Sequence, residues 1–307
     1  MTVQHSVRAA PDRPLNRRPR RTLVPTLFVL PAILLTVLVI AFPLAYTLYQ
    51  STTNWVITSP NPPKFIGLAN YAELLRDTRA LQSLGRTVTI TVCSVSLQMV
   101  LGVAMALVMN RHFFGRGLLR TLALFPVVAT PVAISLIFVT MMNPQTGVLN
   151  YFLTSLGAAP QQWIYAERSV LPSLILVDTW QWTPFVMLIA LAGLSTLPNE
   201  PYEAAKIDGA TGWQTFWAIT LPMLMPSLFV ALLFRAIDTL KLFDTIYAMT
   251  QGGPGTASET INLYLYTLSF NYFRMGYASS MVIALLVLVL GVTLLLIRAR
   301  RFAENRV

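Results

Sequence analysis

Six long apolar segments are the feature that most constrains this chain. Each is long enough to cross a bilayer as a helix, which takes about 20 residues. Only 11% of the 307 residues are charged and 55% are hydrophobic, whereas about 25% of the residues in a soluble domain are charged. We therefore predict an all-α fold, a polytopic membrane protein with six transmembrane helices. The predicted spans are 23–49, 87–109, 118–142, 170–194, 227–249 and 277–297.

Most of the arginines lie in three groups, and these predict how the chain is oriented. The net charge is +10, and its concentration beside apolar segments is typical of cytoplasmic flanks, not of a nucleic-acid surface. Both termini are therefore expected in the cytoplasm. The first apolar segment is too long for a removable signal peptide and has no small-residue cleavage site, so we expect it to remain as an anchor. The three groups are Arg8, Arg13, Arg17, Arg18, Arg20 and Arg21; Arg111, Arg116 and Arg120; and Arg298, Arg300, Arg301 and Arg306.

This orientation predicts a simple organisation of the chain. Residues 1–22 form a disordered basic tail in the cytoplasm, residues 23–297 form the membrane domain, and residues 298–307 form a second cytoplasmic tail. The cytoplasmic loops are 110–117 and 195–226. The outer loops are 51–86, 143–169 and 250–276.

The cytoplasmic loop 195–226 is long for a helical hairpin and has structural signals of its own. Asn199 is a good N-cap for a first short helix, and Gly209 permits a sharp break after it. A second helix is expected from about Thr211, with its aromatic side chains on one face, and Pro222 and Pro226 are expected to end it. Taken by residue types alone, the loop is either a stabilising interfacial segment or a surface that binds another protein.

The same loop resembles the EAA loop of binding-protein-dependent ABC importer permeases. The pattern is Glu-Ala-Ala, then Asp-Gly-Ala, then Ile-x-Leu-Pro, at family spacing. Further stretches, "GLANY", "LAGLSTLP" and "RAIDTLKLFDTIYAMTQGGPG", resemble the carbohydrate-uptake branch, which carries maltose, trehalose, polyols or glycerol phosphate. The resemblance extends from about residue 23 onwards. The residues that carry the loop pattern are Glu203, Ala204, Ala205, Asp208, Gly209, Ile219, Leu221 and Pro222.

This resemblance implies a transport subunit of the plasma (inner) membrane that is not itself an enzyme. The loop between spans four and five would place a coupling helix in a cytoplasmic ATPase. The implied partners are a second homologous permease, two ATPase subunits, an extracytoplasmic solute-binding protein and membrane lipid, with no nucleic acid. No cofactor is expected on this chain, because ATP and Mg²⁺ would bind the partner ATPase. The sequence accordingly contains no G-x-x-x-x-G-K-[ST] phosphate-binding loop.

Two spans carry polar side chains at a depth where ionisable groups are costly and usually functional. On the fourth, Asp178, Trp182 and Phe185 share one helical face. On the fifth, Arg235 and Asp238 belong to a series with Lys241 and Asp244, spaced every three residues. The residues alone are also compatible with a self-neutralising stripe or an ordinary bundle core. The resemblance implies a sugar pathway in which this permease or its partner makes most contacts. The candidate pathway residues are Asp178, Trp182, Phe185, Arg235, Asp238 and Thr239.

Other readings stay open at this point. Arg235 is suited to the phosphate of a glycerol-phosphate ester, so that a phosphate-ester importer is an alternative to a sugar or polyol importer. Asp238 and Lys241 would serve the ion path of an ATP-independent secondary transporter or channel. A membrane enzyme would need a nucleophile or metal cluster, which the sequence does not suggest. The outer segment 251–260, QGGPGTASET, is either a plain turn or, by resemblance, a docking surface for the solute-binding protein.

Overall fold

A computed structural model describes residues 23–304, with side chains from 29 to 301. The predicted tail 1–22 and the end of the predicted tail 298–307 lie outside the described residues. Within the described part the chain is almost wholly helical, and its β structure is limited to an isolated bridge between Thr53 and Phe65. The all-α prediction is therefore confirmed.

The first of two compact units extends to Tyr46. It contains α1 (Leu23–Thr36), a π-helical turn (Val37–Ala41) and the start of α2 (Phe42–Ser51). The rings of Phe42 and Tyr46 stack 6.2 Å apart on successive turns of α2. The apolar stretch Val29–Ser51 has the length and hydropathy of a membrane span, in agreement with the first predicted segment.

The second unit begins at Thr47, and most of its predicted spans are present as long helices. Several predicted edges were too short, since α4 begins before residue 87 and α14 continues past 297 into the predicted tail. Its helices are α3 (Ala69–Leu74), α4 (Thr78–Asn110), α5 (Arg116–Val128), α6 (Pro131–Met141), α7 (Val148–Ser155), α8 (Glu167–Ser195), α9 (Glu200–Ile207), α10 (Gly212–Thr215), α11 (Leu221–Leu240), α12 (Asp244–Met249), α13 (Ile261–Tyr266) and α14 (Met275–Glu304).

The predicted third span, 118–142, is not one continuous helix. Helices α5 and α6 meet at an angle of 96°. The break has a local cause at Pro131, because a proline ring disfavours the helical conformation of the residue before it. Thr130 is accordingly extended, with φ −66° and ψ 141°. If the bent pair counts as one crossing, the described residues contain the six predicted spans.

The predicted fifth span, 227–249, was placed too late in the chain. The helix begins at Gly212, passes through a π-helical turn (Phe216–Thr220) and continues as α11 to Leu240. Pro222 does not end it, because it lies in the first turn of α11, where a missing N–H is tolerated. Pro226 is likewise inside α11. Lys241 and Asp244 therefore lie beyond α11, and the predicted four-residue charged series does not form one stripe.

The core around the site is built by α4, α8 and α11, which cross closely at glycines. A Cβ added to Gly102 of α4 would lie 2.6 Å from Cβ of Val186 on α8, and one added to Gly193 of α8 would lie 2.6 Å from Oγ of Ser227 on α11. Small residues allow this approach between membrane helices. Ala106, Met187 and Leu224 fill the space between the same three helices.

Candidate functional site

A buried ion-pair cluster is centred on Arg235 of α11, which is only 1% exposed. Its Nη2 donates to both carboxylate oxygens of Asp178 on α8, at 3.2 Å each, and to Oγ1 of Thr239 at 2.9 Å. Its Nη1 donates to Oδ2 of Asp238 at 2.5 Å. A buried guanidinium is tolerable only with such partners, so these four residues form one unit.

Gln98 of α4 completes this cluster, and sequence reasoning missed it. Its Nε2 donates to Oδ2 of Asp178 at 2.8 Å and to the Asp178 carbonyl at 3.1 Å. Its Oε1 accepts from Nε of Arg235 at 2.8 Å. The side chain is fully buried. The available signal was a single amide in the apolar run 87–109, since buried amides usually have partners.

Aromatic rings cover part of the cluster. The guanidinium carbon of Arg235 lies 4.5 Å from the centre of the Trp182 ring, within range of a cation–π contact. Phe185 meets Trp182 edge to face, with 6.2 Å between ring centres, and meets Phe234 at 6.4 Å. All six predicted pathway residues are thus brought together, although Phe185 reaches the charges only through Trp182.

The cluster is closed on some sides and accessible on others. Asp178, Arg235 and Thr239 are buried, while Trp182 and Phe185 are half-buried. The side chain of Asp238 is 57% exposed. With all groups ionised, two carboxylates and one guanidinium leave one net negative charge. Accessible aromatic rings beside a carboxylate that can accept hydroxyl protons provide a surface for a polyhydroxylated ligand.

The described residues give no sign of a metal site at or near this cluster. No group of three or more His, Cys, Asp or Glu side chains between residues 29 and 301 is arranged to hold a metal ion. The polar groups of the cluster form hydrogen bonds with one another. They are suited to binding a ligand.

The loop after α8 contains the two short helices whose residues carry the Glu-Ala-Ala pattern. Asn199 lies at the N-cap of α9, but its side chain makes no capping hydrogen bond. Gly209 then has φ +71°, a left-handed conformation that glycine adopts without strain. Thr211 begins the next helix with a capping box, in which its N–H donates to Oε1 of Gln214 at 2.8 Å.

The two halves of the pattern differ in exposure. Glu203, Ala204, Asp208 and Gly209 are exposed, whereas Ala205 is 8% exposed. The remaining members, Ile219, Leu221 and Pro222, are half-buried where the helix enters the bundle. The hydroxyl of Tyr202 donates to Oγ1 of Thr220 at 3.2 Å. This bond joins the exposed helix α9 directly to the π-helical turn that leads into α11.

The outer segment 251–260 is ordered by side chains from α4. Glu259, 3% exposed, accepts two hydrogen bonds from Arg79, at 2.8 Å and 2.7 Å. Ser258 donates to the Gly253 carbonyl at 2.7 Å. Just before α4, the Asp77 carboxylate accepts from the hydroxyls of Tyr264 and Tyr277, at 2.7 Å each. The segment is therefore held against the start of α4 by side-chain hydrogen bonds.

Comparisons with known proteins agree with this architecture. Residues 98–307 match the family of binding-protein-dependent transport system inner membrane components. A probable ABC transporter permease protein of Sinorhizobium fredii is 38% identical over 280 residues, 90% of each chain. The trehalose/maltose transport system permease protein MalF of Thermococcus litoralis is 38% identical over 282 residues, 91% of this chain and 94% of that protein.

A solved structure extends the likeness to the fold. A chain of a bacterial alginate ABC transporter, crystallised with an alginate pentasaccharide-bound periplasmic protein, is similar with a TM-score of 0.80. The match covers 92% of this chain and 96% of that chain at 23% identity, so it shows the fold alone. The family that the loop pattern predicted is confirmed: this chain belongs to the binding-protein-dependent transport system inner membrane components and is a multi-pass permease subunit.

Proposed function

We propose that this permease subunit forms the path of an ATP-driven importer for a neutral sugar or polyol. The observation that carries the proposal is the cluster of Asp178, Arg235 and Asp238 beneath the half-buried ring of Trp182. Sugars present apolar faces that stack on aromatic rings and hydroxyls that donate to carboxylates. The trehalose/maltose designation of the Thermococcus relative supports the same substrate class.

The cluster favours a neutral substrate over a glycerol-phosphate ester. A phosphate would need free guanidinium N–H groups, as in other anion sites. Here Arg235 already donates to Asp178, Asp238, Thr239 and Gln98, and the ionised cluster is negative overall. A phosphate ester would meet repulsion from the exposed Asp238 carboxylate before it reached the guanidinium.

The coupling function is assigned to the exposed helix α9. Its Glu203, together with Asp208 just after it, is available to a cytoplasmic ATPase, and the Tyr202–Thr220 bond provides a route from α9 into α11. ATP and Mg²⁺ would bind two ATPase partner subunits. A second homologous permease would complete the path, a solute-binding protein would deliver the substrate from outside, and the assembly would lie in the plasma membrane.

Uptake by the assembled transporter in proteoliposomes tests this proposal. We expect a neutral disaccharide or polyol to accumulate only when ATP is present on the ATPase side and the solute-binding protein on the other. Accumulation of glycerol phosphate in place of neutral sugars would contradict the substrate class. Accumulation of any solute without ATP would contradict the coupling.

A further inference from the structure

A cavity of about 1350 Å³ lies between the C-terminal half of α4, the end of α8, helix α9 and the aromatic residues in and before the π-helical turn Phe216–Thr220. It is separate from the ion-pair cluster, since none of that cluster's residues lines it. By the predicted topology it opens at the cytoplasmic face of the membrane. It exceeds the roughly 300–1,000 Å³ typical of small-molecule pockets.

The walls of this cavity are mainly apolar. Trp213, Phe216 and Trp217 form one wall, and their rings contact one another at 5.2–6.1 Å between centres. Met99 and Val103 of α4 are on another. Trp213 is 70% exposed and Trp217 is 52% exposed, as expected for tryptophans at a membrane–water interface. The space suits hydrocarbon chains.

Two cations also line the cavity. They are Arg111, just after α4, and Lys206, on α9. No carboxylate is among the lining residues, and neither cation takes part in a salt bridge within residues 29–301. Both side chains are exposed. Their charge is therefore available to an anion whose apolar part occupies the cavity.

We propose that this cavity binds an anionic phospholipid, with acyl chains against the Trp213–Phe216–Trp217 wall and the headgroup phosphate between Arg111 and Lys206. Basic pockets among apolar helix surfaces on the cytoplasmic side suit such headgroups. A helix of a partner protein fits less well, since it would have to bring its own carboxylates to two separate cations. Because Lys206 is on α9 and Arg111 follows α4, the lipid would hold these two elements together.

Tryptophan quenching by brominated phospholipids tests the site. The assembled transporter is placed in nanodiscs of phosphatidylcholine that contain a fixed fraction of dibrominated phosphatidylglycerol or, separately, dibrominated phosphatidylcholine. We expect stronger quenching by the anionic lipid. Each cation near an anionic surface changes lipid partition by about fivefold, so the double variant Arg111→Gln/Lys206→Gln should lose roughly 25-fold of the preference.

Three further variants make the result decisive. Arg298→Gln removes a cation near the cytoplasmic end of α14 that does not line the cavity, and it should keep the preference. Arg111→Lys/Lys206→Arg retains both charges and should also keep it. Trp213→Phe/Trp217→Phe should abolish the difference in quenching between the anionic and the zwitterionic lipid. Equal quenching by the two lipids, or a preference that survives in the double glutamine variant, would overturn the proposal.

Discussion

Gln98 and Arg235 are 137 positions apart in the sequence and are joined by a hydrogen bond of 2.8 Å between Oε1 and Nε. The same amide donates to Asp178. One uncharged side chain on α4 thus holds both members of the ion pair between α8 and α11. This amide therefore links α4, α8 and α11 through hydrogen bonds.

Replacement of Gln98 should therefore destabilise the protein. In Gln98→Leu, the Asp178 carboxylate and the Arg235 guanidinium each lose a buried partner, at a cost of about 1.5–3 kcal/mol per hydrogen bond to a charged group. We expect a melting temperature several degrees below that of the wild type in a thermal-shift assay in detergent. Gln82→Leu, at an exposed position of the same helix, is the control and should change little. Equal melting of all three proteins would contradict the structural importance of Gln98.

Trp182 is expected to act on substrate more than on stability. Its ring is half-buried over Arg235, and loss of aromatic stacking in Trp182→Leu should weaken substrate affinity by about tenfold. The measurement is the concentration dependence of uptake. Trp180→Leu is the matched control, because Trp180 is on the same helix but packs against Phe138. If the two variants had the same transport constants, Trp182 would have no place in the pathway.

Charge reversal at Glu203 should uncouple the transporter without unfolding it. Glu203 is exposed on α9, so Glu203→Lys should leave the free energy of unfolding within about 0.5 kcal/mol of the wild-type value. We expect ATP-driven uptake to be lost and the ATPase to dissociate during purification. Ser195→Lys introduces a cation at the exposed last residue of α8 and should retain both properties. Normal uptake by Glu203→Lys would remove α9 from the coupling mechanism.

Asp77 should make the stability of the outer face depend on pH. Burial raises the pKa of this carboxyl, but hydrogen bonds from Tyr277, Tyr264 and two backbone N–H groups outweigh burial and hold it below the usual 3.8. A depressed pKa stabilises the fold above the unfolded value, and that stabilisation is lost as the pH falls through the folded value.

The comparison of wild type with Asp77→Asn isolates this contribution. From pH 8 down to pH 5, wild type should have a higher melting temperature than Asp77→Asn, by a constant difference. This difference should shrink below about pH 4. Thermal unfolding measured over that range checks the prediction. A difference that instead disappears between pH 8 and pH 5 would show that the Asp77 carboxylate is not held in its ionised form.

The sequence allowed the spans to be predicted because membrane helices need long apolar runs, but it did not distinguish one proline from another. Pro131 follows a break of 96°, whereas Pro184 and Pro226 remain inside α8 and α11. Packing against neighbouring helices decides whether a proline bends or ends a membrane helix. That information is tertiary, and for this reason the third and fifth spans were wrong in detail.

The candidate site shows the same limit. Asp178 and Trp182 could be grouped from helical spacing, and Arg235 with Asp238 likewise, because each pair lies on one helix. Gln98 could not be placed, since its partners are 80 and 137 positions away. Its contacts exist only where α4, α8 and α11 pack against one another. Its assignment therefore depended on the structure.

We propose that this permease is moved by an ATPase on a separate chain. The direct measurement is affinity purification of the tagged chain from its native membrane in mild detergent, followed by mass spectrometry of the proteins that remain bound. We predict a second multi-span permease and an ATPase with a phosphate-binding loop. A chain that purifies alone, and that transports solute in liposomes without ATP, would contradict a separate ATPase as its motor.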